Sequence, residues 1–128
     1  MVRLPPDWAR ILANVDYEKR MAIVAVAPGG QLIAVARYDY DDEAKEAEIA
    51  LVVQDHWQGK GLGTILMTEL LQYAEAKGIR RFRAYVLAEN RRMLDLLGRL
   101  TQVLERHTER GISSLLLARR PRPESAAP

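Results

Sequence analysis

AEIALVVQDHWQGKGLGTILMTELLQYAEAKG, residues 47–78, decides the fold. Its first seven residues are almost wholly apolar and branched, which reads as a strand. A loop follows with glycine at alternate positions 59, 61 and 63. Beyond it, Leu62, Ile65, Leu66, Leu70, Tyr73 and Ala74 fall on one face of a helix, with Thr64, Thr68, Gln72 and Glu75 opposite. Gly78, preceded by Lys77, is a natural helix stop. RFRAYVLA (81–88) then reads as a second strand. Strand, helix and strand in succession form a βαβ unit, so the two strands should run parallel.

Outward from this unit the chain alternates short strands and turns. MAIVAVA (21–27) and QLIAVARYDY (31–40) flank Pro28-Gly29-Gly30 as a β-hairpin, and DDEAKE connects the second of them to the strand at 47–53. Asp7–Asn14 reads as a short helix after Pro5 and Pro6. Asn90 is a good N-cap for a helix over 91–100, with Met93, Leu94, Leu97 and Leu100 inward. Two strands, 101–107 and 112–118, turn near Glu109–Gly111. The expectation is one α/β domain over 1–118, with a mixed, mostly antiparallel sheet covered by helices. The Pro- and Arg-rich tail, 119–128, reads as disordered.

The chain's 128 residues suit one domain, and 48 % apolar with 28 % charged residues is ordinary for a globular protein. No apolar run is long enough to span a membrane, and MVRLPPDWAR has no secretory apolar core. Cysteine is absent, which excludes disulfides, thiolate metal sites and a cysteine nucleophile and fits a cytoplasmic setting. His56 and His107 lie far apart, so no metal site is expected. The net charge of +2 gives no argument for nucleic acid. Its distribution is more telling. Arginines gather at 80, 81, 83, 91 and 92, and acids at Asp39, Asp41, Asp42, Glu43, Glu46 and Glu48. An anionic ligand beside the first group and a cationic partner beside the second would suit the split; two solvated faces would also produce it.

A glycine-rich loop opening a helix points toward an anion. First-turn N–H groups face outward, the helix dipole adds positive potential, and glycine lets a bulky phosphate approach. Two common phosphate loops do not fit: Gly63 is followed by Thr64-Ile65, not the Lys-Ser/Thr of a P-loop, and the sixth position from Gly59 is Thr64, not glycine.

Gln58-Gly59-Lys60-Gly61-Leu62-Gly63 resembles the [QR]-x-x-G-x-[GA] loop of the GCN5-related N-acetyltransferase (GNAT) family. The likeness covers residues 15–118. With GIRRFRAYVLAENRRML it is similar to the acetyltransferase domain of bacterial Pat-type protein lysine acetyltransferases. The resemblance implies the GNAT fold and acetyl-CoA as co-substrate. It places the pyrophosphate on the amides of Gly59 through Thr64, and pantetheine along Leu51, Val52 and Val53. It also implies a cofactor contact from Asn90, which as an N-cap has a structural reason of its own to be there.

Acetylation of an amine needs a base to remove its proton and a donor to hold the oxyanion. Glu48, set among apolar residues before the pantetheine strand, is the candidate base; an apolar enclosure would favour its neutral acid and suit it to work near neutrality. It also matches the glutamate assigned that role in Pat-type enzymes. A solvent-facing glutamate, or one paired with Arg83 or Arg37, is the structural alternative. The tyrosine acid of many relatives has no counterpart in RRMLDLLGRLT.

The resemblance implies an N-acetyltransferase acting on a protein lysine. A small-molecule amine acetyltransferase and a catalytically idle acetyl-CoA-binding module are the alternatives. The family's first strand and first helical hairpin have no evident counterpart before Met21, so the fold is expected to lack them. A bare sheet edge would then favour a homodimer.

Overall fold

The computed structural model describes residues 9–14, 19–59 and 61–120. Seven strands and two helices follow in the order β1 (Ala9–Asn14), β2 (Arg20–Val26), β3 (Leu32–Asp41), β4 (Glu46–Val53), α1 (Leu62–Ala76), β5 (Arg81–Leu87), α2 (Arg91–Leu100), β6 (Thr101–Glu109) and β7 (Ile112–Arg119). They form one sheet in the order β1-β2-β3-β4-β5-β7-β6. All neighbours are antiparallel except β4 and β5, which the α1 crossover makes parallel.

Period-two alternation sends one row of side chains from each strand to a common face. Ile23, Ala36, Phe82, Ala84, Leu115 and Leu117 are buried there. Helix α1 covers this face over β2, β3 and β4, and α2 packs beside it and against β6. The buried stripe of α1 is Leu62, Leu66, Met67, Leu70, Leu71 and Ala74. It is rotated from the expected stripe: Met67 and Leu71 take the places of Ile65 and Tyr73, which are only half-buried. A helix with apolar residues on several sides leaves that choice to the sheet it lands on. Past its end, Gly78 at φ +83° lets Ile79 N–H donate to Ala74 C=O (3.0 Å) and Gly78 N–H to Glu75 C=O (2.9 Å). These paired bonds close the helix as the glycine stop predicts.

The first strand, expected to be missing, is present. Ala9–Asn14 pairs residue for residue with Met21–Val26, and no helix intervenes among the described residues. The same pairing overturns the expected helix over Ala9–Asn14; Asp7 and Trp8 lie outside the described residues. A stretch that short carries too little periodicity to choose for itself, and the free edge of β2 chooses for it. Strand β7 reaches Arg119, so that residue belongs to the sheet. Residues 121–128 of the expected tail lie outside the described residues.

Candidate functional site

Strands β4 and β5 begin side by side and then part. Their register holds at only Ala47↔Phe82 and Glu48↔Arg83, after which β5 continues against β7 alone. Strand β4 stays paired with β3 to its end, so beyond Ile49 it has a partner on one side only. Gln54 N–H donates to Ile33 C=O at 2.9 Å. Main-chain groups alternate sides along an antiparallel ladder. Counting back from Gln54, the amides of Val53 and Leu51 therefore face the open side, while that of Ile49 belongs to the last rung beside Arg83. The parting makes a slot edged by main-chain donors and acceptors that no neighbouring strand pairs.

The glycine loop closes one end of this slot. Gly59 (φ +81°) and Gly61 (φ +80°) adopt the left-handed conformation, and Gly61 caps α1 with no side chain bonded to the helix end. The first bond to close the helix is Ile65 N–H to Gly61 C=O at 3.2 Å. The N–H groups of Leu62, Gly63 and Thr64 thus precede the ladder and project from the helix mouth. Gly63 has another task. A Cβ there would lie 2.9 Å from Leu51 Cδ2, so glycine lets α1 press onto the end of β4. The loop's glycines therefore divide between backbone conformation and close packing. Lys60 lies outside the described residues.

Slot and loop together line a cavity of about 610 Å³. It gathers Leu51, Val52, Val53, Gln58, Gly59, Gly61, Leu62, Gly63, Thr64 and Asn90, so every described residue the sequence named for the cofactor is in one place. It also contains Arg92, which the sequence left in the arginine group, and Arg99, which the sequence did not single out. The Arg92 guanidinium stands over Gly59, where a Cβ would lie 3.7–3.9 Å from it, and donates to Gln58 Oε1 at 3.3 Å. Gln58 in turn donates to Val53 C=O at 3.0 Å. Asn90 Oδ1 accepts from Met93 N–H at 3.1 Å, so the cap is made and the residue still lines the cavity. Only the spacing of Arg92, two residues past the cap, could have hinted at its position.

Glu48 stands on the other face of the sheet, beside the point where the strands part. It is exposed, and its register neighbours are Asp39 on β3 and Arg83 on β5. The apolar enclosure expected from its sequence neighbours is absent, because Ile49 and its alternates point into the core. A second hollow, of about 530 Å³, holds Glu48 with Lys19, Asp39, Asp41, Asp42, Glu43, Glu46, Arg83 and Tyr85 among its walls. Lys19 pairs with Asp42. Arg83 bonds not with Glu48 but with Glu46, Nε to Oε1 at 3.0 Å, and its Nη1 donates to Ser114 Oγ at 3.0 Å. The bond with Glu46 raises the Arg83 pKa above its ordinary value, against the opposing effect of desolvation.

Neither histidine lines the cavity or the acidic hollow. His56 lies in the short turn after β4, and His107 on the edge strand near Glu109. Among the described residues, no cluster of potential metal ligands occurs and no helix is long and apolar enough to cross a membrane.

Residues 3–101 match the family model described as the acetyltransferase (GNAT) family. The chain is 36 % identical over 88 residues to an acetyltransferase, PA5475, of Pseudomonas aeruginosa, covering 66 % of this chain and 47 % of that protein. It is 37 % identical over 94 residues to the acetyltransferase Pat of Mycolicibacterium smegmatis, covering 72 % and 28 %. The chain thus spans less than half the length of these relatives. Among solved structures, the GNAT domain of S. lividans PAT superposes with a TM-score of 0.69 at 32 % identity, covering 82 % of this chain and 64 % of that one.

Proposed function

The chain belongs to the GNAT family of acetyltransferases, and from that premise we propose that it transfers acetyl from acetyl-CoA to the side-chain amine of a protein lysine, with Glu48 as general base. The observation that carries the reading is the parting of β4 and β5 immediately after Glu48. In this reading the glycine-lined cavity and the acidic hollow meet at that parting, one on each face of the sheet.

In this reading the pyrophosphate rests on the first-turn amides of α1, within reach of Arg92 and Arg99. Pantetheine amides add to the open edge of β4 as a short extra strand. The thioester then stands at the parting, and the amine enters from the side of Glu48. The acidic walls favour a cation: an ammonium is drawn in charged, and its proton passes to Glu48 directly or through water. The free amine attacks the thioester carbonyl. The oxyanion is supported by a main-chain N–H of the open edge, from Leu51. The C–N bond forms, the nitrogen gives up its second proton to solvent, the C–S bond breaks, CoA leaves as thiolate and takes a proton from solvent, and Glu48 sheds its own. The acidic hollow would also take a small-molecule amine, which makes that the second reading.

The test is calorimetric titration with acetyl-CoA, followed by mass spectrometry of lysine-bearing proteins and small amines incubated with both. Binding with turnover that falls about 100-fold in Glu48→Gln supports the proposal. Because Glu48 is exposed, the variant should keep its melting temperature. Binding without any Glu48-dependent turnover would instead identify an idle acetyl-CoA-binding module.

A further inference from the structure

Two glutamates and one arginine share the open face of β4 and β5, and only one of the two possible ion pairs is made. Glu46 and Glu48 are alternate residues of β4, so both side chains stand on that face. Arg83 sits opposite Glu48 in register, yet its guanidinium turns to Glu46 and is held there from the far side by Ser114 of β7. Both partners of the pair are largely covered, at 24 % and 20 % side-chain exposure. Glu48 makes no ion pair or side-chain hydrogen bond with another described residue.

We propose that Glu46 is a positioning residue: by occupying Arg83 it keeps the guanidinium away from Glu48 and leaves that carboxylate free to accept a proton. The inference rests on Glu48 being the base of the proposed reaction. A guanidinium bonded to Glu48 would stabilise its anion and weaken it as a base. The remaining groups facing Glu48 act in both directions. From β3, Asp39 lies directly opposite, with Arg37 and Asp41 a step to either side. Tyr85 follows Arg83 on β5, and Lys19, Asp42 and Glu43 close the hollow beyond. Arg20 pairs in register with Asp39. Of the cations among these, Arg83 alone is the register partner of Glu48 on β5, the strand that then parts from it.

The arrangement predicts shifts of opposite sign. In Glu46→Gln, Arg83 loses its anionic partner and turns to Glu48; the Glu48 carboxyl then titrates at lower pH. In Arg83→Gln, Glu46 is left as an unneutralised negative neighbour, and Glu48 titrates at higher pH. The double variant Glu46→Gln/Arg83→Gln should return close to wild type. The measurements are carbon-13 NMR of the Glu48 carboxyl and the pH profile of kcat/KM, with acetyl-CoA and a lysine-rich peptide as acceptor probe. Glu46→Gln should lose about tenfold in kcat/KM near pH 7, and the double variant should recover it. A structural role alone would lower stability in both single variants without opposed shifts, and the double would not recover.

If the Glu48 titration is unmoved, or moves the same way in both single variants, the proposal is overturned while the base reading stands. If the acidic limb of kcat/KM persists unchanged in Glu48→Gln, the base reading fails and this inference fails with it. Opposed shifts with recovery in the double variant support it.

Discussion

Replacing Gly63 by alanine should damage cofactor binding more than folding, and the reason lies in two competing magnitudes. Gly63 lies within α1, where alanine is favoured over glycine by about 0.8–1 kcal/mol. Against that, the added Cβ would stand 2.9 Å from Leu51 Cδ2, with Leu96 Cδ2 at 3.7 Å and Val53 Cγ2 at 3.9 Å. Overpacking of this kind costs about 1–3 kcal/mol. The net loss is about 2 kcal/mol or less, a fall in Tm of roughly 8 °C at most for a domain of this size. The atom that must give way belongs to Leu51, whose main chain edges the slot. Shifting it misplaces a main-chain partner of the proposed pantetheine strand or a first-turn amide of the phosphate cradle, and a lost charge-assisted bond is worth about 1.5–3 kcal/mol. The Kd for acetyl-CoA should therefore rise at least about tenfold. Leu51→Val removes the clashing Cδ2, so Gly63→Ala/Leu51→Val should bind acetyl-CoA more tightly than Gly63→Ala alone. Calorimetry and thermal melts on the four proteins decide it. Wild-type affinity in Gly63→Ala, whatever its Tm, would refute the claim that this contact shapes the slot.

The other predictions concern the same cradle. Gly61→Ala forces a Cβ into a left-handed residue, so it should destabilise by about 1–2 kcal/mol in a denaturant melt and weaken acetyl-CoA binding in titration. Arg92→Ala removes an exposed guanidinium beside the loop; acetyl-CoA affinity should fall about fivefold at low salt and by less at 0.5 M, with no change in Tm. An Arg92 effect independent of salt would mean that packing, not charge, is what the residue supplies.

Most of the fold was legible because its determinants are local. The hairpin at Pro28–Gly30, the strand–glycine–helix order, the stop at Gly78 and the cap at Asn90 each depend on residues a few positions apart, and all occur at the expected places. Two expectations went astray where local information was thin. Ala9–Asn14 pairs as a strand because an edge was available to it, and α1 turned its buried stripe because several of its sides are apolar. For the candidate site, every named cofactor residue that is described lines one cavity, whereas the surroundings of Glu48 were misjudged. Its neighbours in sequence are apolar, but its neighbours in space are Asp39 and Arg83.

By itself, then, the sequence determined the strands and helices from Met21 onward and where the helix mouth with its glycines lies, since backbone conformation and side-chain period are properties of consecutive residues. Only the tertiary structure decided where β4 and β5 part, that Arg92 reaches over Gly59, and that Arg83 bonds with Glu46 rather than Glu48. Those outcomes join residues 33 to 37 positions apart. They depend on strand register and on the direction a long side chain takes across a sheet, and no spacing along the chain encodes either.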